Sequence, residues 1–104
     1  MLPRAALALG ILALCASCAA PQTIRMACDN PSNPKDSPAF VIDEAHAQVV
    51  GAVRMWTFNE HTIEWQDKLG YSYSFDRDAG QMHRVYPRFN VGYEFDCHET
   101  GRSY

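Results

Sequence analysis

Residues 71–86 read YSYSFDRDAGQMHRVY, and the fold turns on how this stretch is read. Tyr71, Tyr73 and Phe75 alternate with Ser72 and Ser74, a period of two. That period puts every ring on one face of an extended strand and every hydroxyl on the other. A helix would bring side chains together every third or fourth residue instead. Arg77-Asp78-Ala79-Gly80 then reads as a tight turn, with Gly80 free to take a positive φ. Residues 81–86 return as a second strand, so the stretch is a β-hairpin.

Outward from the hairpin the same punctuation recurs. Residues 39–43 read as a short strand, and 44–47 as a turn that leads into 48–50. Residues 53–58 form a strand closed by Asn59-Glu60, and 61–66 form the next, with Ile63 and Trp65 on one face. Residues 67–70 turn again. Residues 87–90, opened by Pro87, separate the hairpin from a last strand that runs to Cys97. Short strands at about ten-residue spacing with turn signals between them indicate an antiparallel meander. A helix over 43–50 is the only helical alternative, and its apolar pattern is weak.

The two ends carry a matched signal. Ile24, Met26 and Cys28 alternate with polar neighbours, and so do Val91, Tyr93, Phe95 and Cys97. Each cysteine therefore falls on the apolar face of its strand. The expectation is that the first and last strands are neighbours joined by a Cys28–Cys97 disulfide. The sheet then curls into a small all-β barrel or half-barrel. Residues 29–38, with three prolines, form the loop that follows the first strand. A bridge closing about 70 residues contributes on the order of 4 kcal/mol by restricting the unfolded chain.

The first residues have a different character. Arg4 precedes an unbroken apolar and small-residue run from Ala5 to Leu14. A basic start, a short apolar core and small residues at the exit make an export signal. A membrane span needs about 20 apolar residues, more than this run holds. Cys15-Ala16-Ser17-Cys18 resembles the lipobox of bacterial lipoproteins, with Cys15 where that pattern usually carries Leu. The resemblance implies an export signal over residues 1–18, a lipid on Cys18 and a single domain over 19–104. It also implies residence in the bacterial cell envelope, tethered to a membrane. The alternative is an ordinary cut after Ala19 and a soluble periplasmic or secreted protein. Either cut leaves Cys28 and Cys97 as a pair in an oxidising compartment.

Two further resemblances concern shape. The run from Tyr73 to Met82, preceded by Thr62-Ile63-Glu64-Trp65, resembles a hairpin element of small exported bacterial proteins of unknown function. The Cys28 and Cys97 frame with its aromatic strands is similar to the membrane-bound and periplasmic inhibitors of c-type lysozyme. Those are small exported β-barrels with a disulfide joining the chain ends. Their inhibitory Ser-Gly-x-x-Tyr-type loop has no counterpart, since Tyr71-Ser72-Tyr73-Ser74 lacks the glycine. The resemblance implies a fold and no site residues.

Charge and chemistry narrow the function. Nine basic against twelve acidic side chains give a net charge of −3, which argues against a nucleic-acid surface. Asp96 and His98 share a strand face that Glu99 does not, and two ligands do not close a zinc site. Asp43, Glu44 and His46, and likewise Glu60, His61 and Glu64, read as polar turns. Neither a nucleophile elbow nor a phosphate-binding loop is present. The expectation is a chain without catalytic residues, metal or cofactor.

The aromatics point elsewhere. Trp56 and Phe58 run out of phase with Val53 and Met55. Either a bulge switches the facing within residues 53–58, or an aromatic pair faces outward as a contact surface. Trp56, Phe58 and Trp65 are therefore the candidate binding residues. The function expected is a non-catalytic binding or inhibitor module acting on an envelope or extracellular protein. A structural envelope lipoprotein with no discrete site is the alternative, and a small hydrolase the third possibility.

Overall fold

Every alternating stretch becomes a strand. The computed structural model describes residues 21–104. The export segment and Cys18 lie outside the described residues. There are eight strands: β1 (Thr23–Asp29), β2 (Ala39–Asp43), β3 (Gln48–Val49), β4 (Arg54–Phe58), β5 (Thr62–Gln66), β6 (Ser72–Asp76), β7 (Gln81–Tyr86) and β8 (Val91–Ser103). All pair antiparallel in one sheet of order β3-β2-β1-β8-β7-β6-β5-β4. The sheet rolls until β3 and β4 meet, giving a nearly closed barrel. The stretch 43–50, where a weak helix was the alternative, holds the end of β2, a turn over 44–47 with Ala47 at a φ of 51°, and β3.

β8 organises the barrel. It spans 13 residues, pairing with β7 through its first half and with β1 through its second. The sequence pattern placed its end at Cys97. The strand continues because β1 still offers ladder partners as far as Ser103. Residues 98–103 carry no apolar alternation, since this half is largely solvent-exposed. A bulge skips Thr100 between the Arg25–Gly101 and Met26–Glu99 pairs, and the Thr100 hydroxyl donates to the Arg25 carbonyl.

Cys28 and Cys97 stand directly opposite each other and are bonded, with Cα atoms 4.0 Å apart. Cys28 belongs to a core of Met26, Ile42, Val49, Ile63, Trp65, Phe75, Met82 and Phe95. Phe40 packs its ring 5.1 Å from both Trp65 and Phe75. Rings supply most of the area a domain of this size can withdraw from water.

The phase conflict in residues 53–58 is resolved by a bulge. Met55 pairs with Trp65, Thr57 with Glu64 and Phe58 with Ile63, leaving Trp56 unpaired. The extra residue lets Met55 and Phe58 both pack on the core. It also leaves Trp56 half exposed outside it, at 50%.

Candidate binding cleft

Three strands carry the inner face beyond the barrel's core. Phe75, Met82 and Phe95 form one row across β6, β7 and β8. Two residues along, Tyr73, Arg84 and Tyr93 form the next row on the same face. Beyond that stand Tyr71 and the last ladder pair, Tyr86 with Val91. β1 ends at Asp29, opposite Asp96, so no strand covers these outer rows. They form an open trough, closed on one side by the loop 29–38.

Arg84 is the keystone of that trough. Its inward position follows from the alternation of β7, which also turns Met82 inward. The guanidinium lies against three rings: 5.0 Å from the Tyr71 centroid, 4.8 Å from Phe95 and 5.8 Å from Tyr93. Asp36, from the loop, accepts a hydrogen bond from Arg84 Nη2 at 2.7 Å. A buried charge needs such a partner to offset its lost hydration. Arg84 Nε is buried without one.

A second carboxylate fixes the neighbouring ring. Asp67 Oδ1 accepts the backbone N–H groups of Leu69 and Tyr71 at 2.9 and 3.0 Å. Its Oδ2 accepts the Tyr73 hydroxyl at 2.7 Å. Burial, reinforced by that bond and the Asp67 charge, holds the Tyr73 phenol well above the ordinary tyrosine range. Tyr73 in turn stacks on Trp65, with centroids 4.9 Å apart.

Above this floor Tyr71, Tyr86, Phe89, Val91 and Tyr93 enclose an open cleft of about 380 Å3. Tyr86 stacks on Phe89 at 5.1 Å and meets Tyr71 edge-on at 4.8 Å. Phe89 sits at the tip of the β7–β8 turn, 68% exposed, just before Asn90 at a φ of 52°. Val91 and Tyr93 are also exposed. An aromatic wall open to solvent is uncommon on a domain with so little core.

The cleft's rim is cationic. Lys35, Lys68 and Arg88 sit in the surrounding turns, Arg54 opens β4 at the same end, and all four are exposed. Among the described residues none of them makes an ion pair. The acidic groups of this end, Asp36 and Asp67, are engaged by Arg84 and Tyr73. Most other carboxylates lie toward the opposite end. There Arg77 pairs with Glu44, Arg102 with Glu99, and His61 lies beside Asp78 and Glu60.

The residues singled out from the sequence fall in three places. Trp56 is exposed on the outer face, Phe58 is half-buried beneath Arg77 at 5.6 Å, and Trp65 is 3% exposed in the core. They do not form one surface, and Trp65 cannot touch a partner directly. Among the described residues no three histidine, cysteine or acidic side chains converge as metal ligands. Of the cleft residues, Tyr71 and Tyr93 were visible in the sequence as ring positions of alternating strands. The usable signal was Arg84 itself, a cation at a position that strand alternation turns inward.

Comparison with known proteins adds no further constraint: no protein family matches the chain, and no curated protein or solved structure is detectably similar to it.

Proposed function

We propose that this protein is a non-catalytic binding module of the bacterial cell envelope, and that it docks an acidic protein surface in the aromatic cleft. The observation that carries the reading is the ring cluster over Arg84, with Phe89 and Tyr93 exposed, Tyr71 and Tyr86 half-buried, and unpaired cations around it. Rigid tyrosine and phenylalanine side chains give contact area at low entropic cost, and they are enriched where proteins meet. The cationic rim steers an anionic partner toward them.

The placement of the chain start supports a tethered form. Gln22 N–H donates to the Ser103 carbonyl at 2.7 Å, at the far end of β8 from Val91. A strand of 13 residues spans roughly 40 Å. A lipid on Cys18 would hold that end toward the membrane and present the cleft away from it.

Photo-crosslinking from position 89 in the exported protein tests the docking. The expected product joins the cleft to one envelope protein. It disappears in Tyr71→Ala/Tyr93→Ala, persists in Trp56→Ala, and weakens as salt is raised. A product that survives the double substitution overturns the reading. Mass spectrometry of the mature N-terminus tests the anchor: an acylated Cys18 supports it, and an unmodified Ala20 start removes it.

A further inference from the structure

The outer face of the sheet carries a second surface, on the opposite side of β6, β7 and β8 from the cleft. Glu64, Ser74, His83 and Glu94 stand in one row across β5, β6, β7 and β8, each opposite the next. Ser72 and Val85 form the adjoining pair. Trp56, turned outward by its bulge, stands at the edge. Trp56, Glu64, Ser72, Tyr73, Ser74, His83 and Val85 line a shallow depression of about 200 Å3.

His83 is held in place from two sides. Its Nδ1 lies 2.5 Å from Glu94 Oε1. Its ring rests on the backbone of Gly92, where a Cβ would come within 2.8 Å of Cε1 and 2.9 Å of Nε2. With Nδ1 turned to Glu94, Nε2 faces away from that pair and can exchange a hydrogen bond with a hydroxyl, which both donates and accepts. The side chains of Glu64, Ser72 and Ser74 make no hydrogen bond among the described residues, so their donors and acceptors are open. Trp56 is half exposed beside them.

The order Ser74, His83, Glu94 matches a nucleophile, a base and an orienting carboxylate. Hydrolysis would also need free donors for an oxyanion. Ser74 lies in a central strand whose ladders to β5 and β7 engage the local backbone. Nor does a hydrogen bond join Ser74 to His83. Binding fits the surface better than turnover.

We propose that this depression binds a saccharide. A pyranose ring has an apolar face of C–H groups that covers an indole, and a rim of hydroxyls that each donate and accept. Trp56 supplies the platform, and Glu64, Ser72, Ser74 and His83 supply the matching rim. Glu64 and Glu94 disfavour an anionic ligand such as a nucleotide. A peptide strand would find no free sheet edge there, because β5, β6 and β7 are each paired on both sides.

The test is an NMR titration of the disulfide-bonded domain with chitotriose and, separately, maltotriose. With at least one sugar, the Trp56 indole N–H and the amides of Ser72, Ser74 and His83 shift and saturate. The indole of buried Trp65 serves as an internal reference and stays in place. Trp56→Ala weakens binding by about tenfold or more. Gly92→Ala displaces His83 without itself touching the sugar and weakens binding as well. Ser74→Ala, which leaves the backbone unaltered, does the same should Gly92→Ala fail to fold. No shift with either sugar at millimolar concentration overturns the proposal. So do shifts confined to the Tyr71–Tyr93 cleft, or unchanged affinity in a folded Trp56→Ala.

Discussion

Arg84 shows how much one side chain can carry in a barrel this small. Replacing it with Met keeps the stem's contacts with Tyr71 and Phe95 but strands Asp36 without its partner. The expected loss is about 2 kcal/mol, the usual value for a charged hydrogen bond, read as a lower denaturant midpoint at unchanged slope. Lys at the same position does not restore it, because an ammonium cannot lie flat among three rings. Tyr73 gives a second prediction. Its neutral phenol is favoured in the folded state, so its folded pKa lies above the unfolded value near 10. The stability it contributes is whole below that value and declines as pH rises beyond it, because the unfolded chain then sheds the proton first. Midpoints measured at about pH 9 and about pH 11 should fall between the two, and Tyr73→Phe should flatten that part of the fall.

At the scale of single elements, the bulge in β4 makes an unusual prediction. Deleting a residue from a strand normally turns every later side chain to the wrong face. Deleting Trp56 should not, because Met55, Thr57 and Phe58 keep their partners Trp65, Glu64 and Ile63. The shortened protein should unfold cooperatively, with stability within about 1 kcal/mol of the parent. Deleting Ser74 from β6, which has no bulge, turns Phe75 out of the core and should prevent folding. The same elements show what the sequence made legible. The 71–86 hairpin was readable because rings and serines alternate without interruption. The opposed cysteines were readable because both sit in phase with their strands. The second half of β8 was not, because His98, Glu99, Thr100 and Arg102 owe their strand to β1 and not to an apolar face. The cleft was hidden for a related reason. Tyr71, Tyr86 and Tyr93 share the inward phase of Phe75 and Phe95, and alternation cannot say where a core stops.

For the molecule as a whole, the bridge is the main protection against unfolding. Its partners are 69 residues apart in sequence. Closing such a loop restricts the unfolded chain by about 4 kcal/mol, comparable with the net stability of a small domain. Cys28→Ala/Cys97→Ala should therefore lower the unfolding free energy by roughly that amount. Thermal unfolding with and without reductant should reproduce the difference in the parent. Cys28 is fully enclosed and Cys97 only partly buried, so a reductant approaches the bridge from the Cys97 side.

The pairing of β1 with β8 also sets the order of events in the life of the chain. Of the eight strands, the first to be made has the eighth as its chief partner. Until Cys97 appears, Met26 and Cys28 have only β2 beside them and no lid over their apolar face. The barrel cannot assemble vectorially. It must wait until β8 has been made, and its assembly is slow, as sequence-distant pairings require. The bridge between the first and the eighth strand therefore forms only after every strand between them has been made.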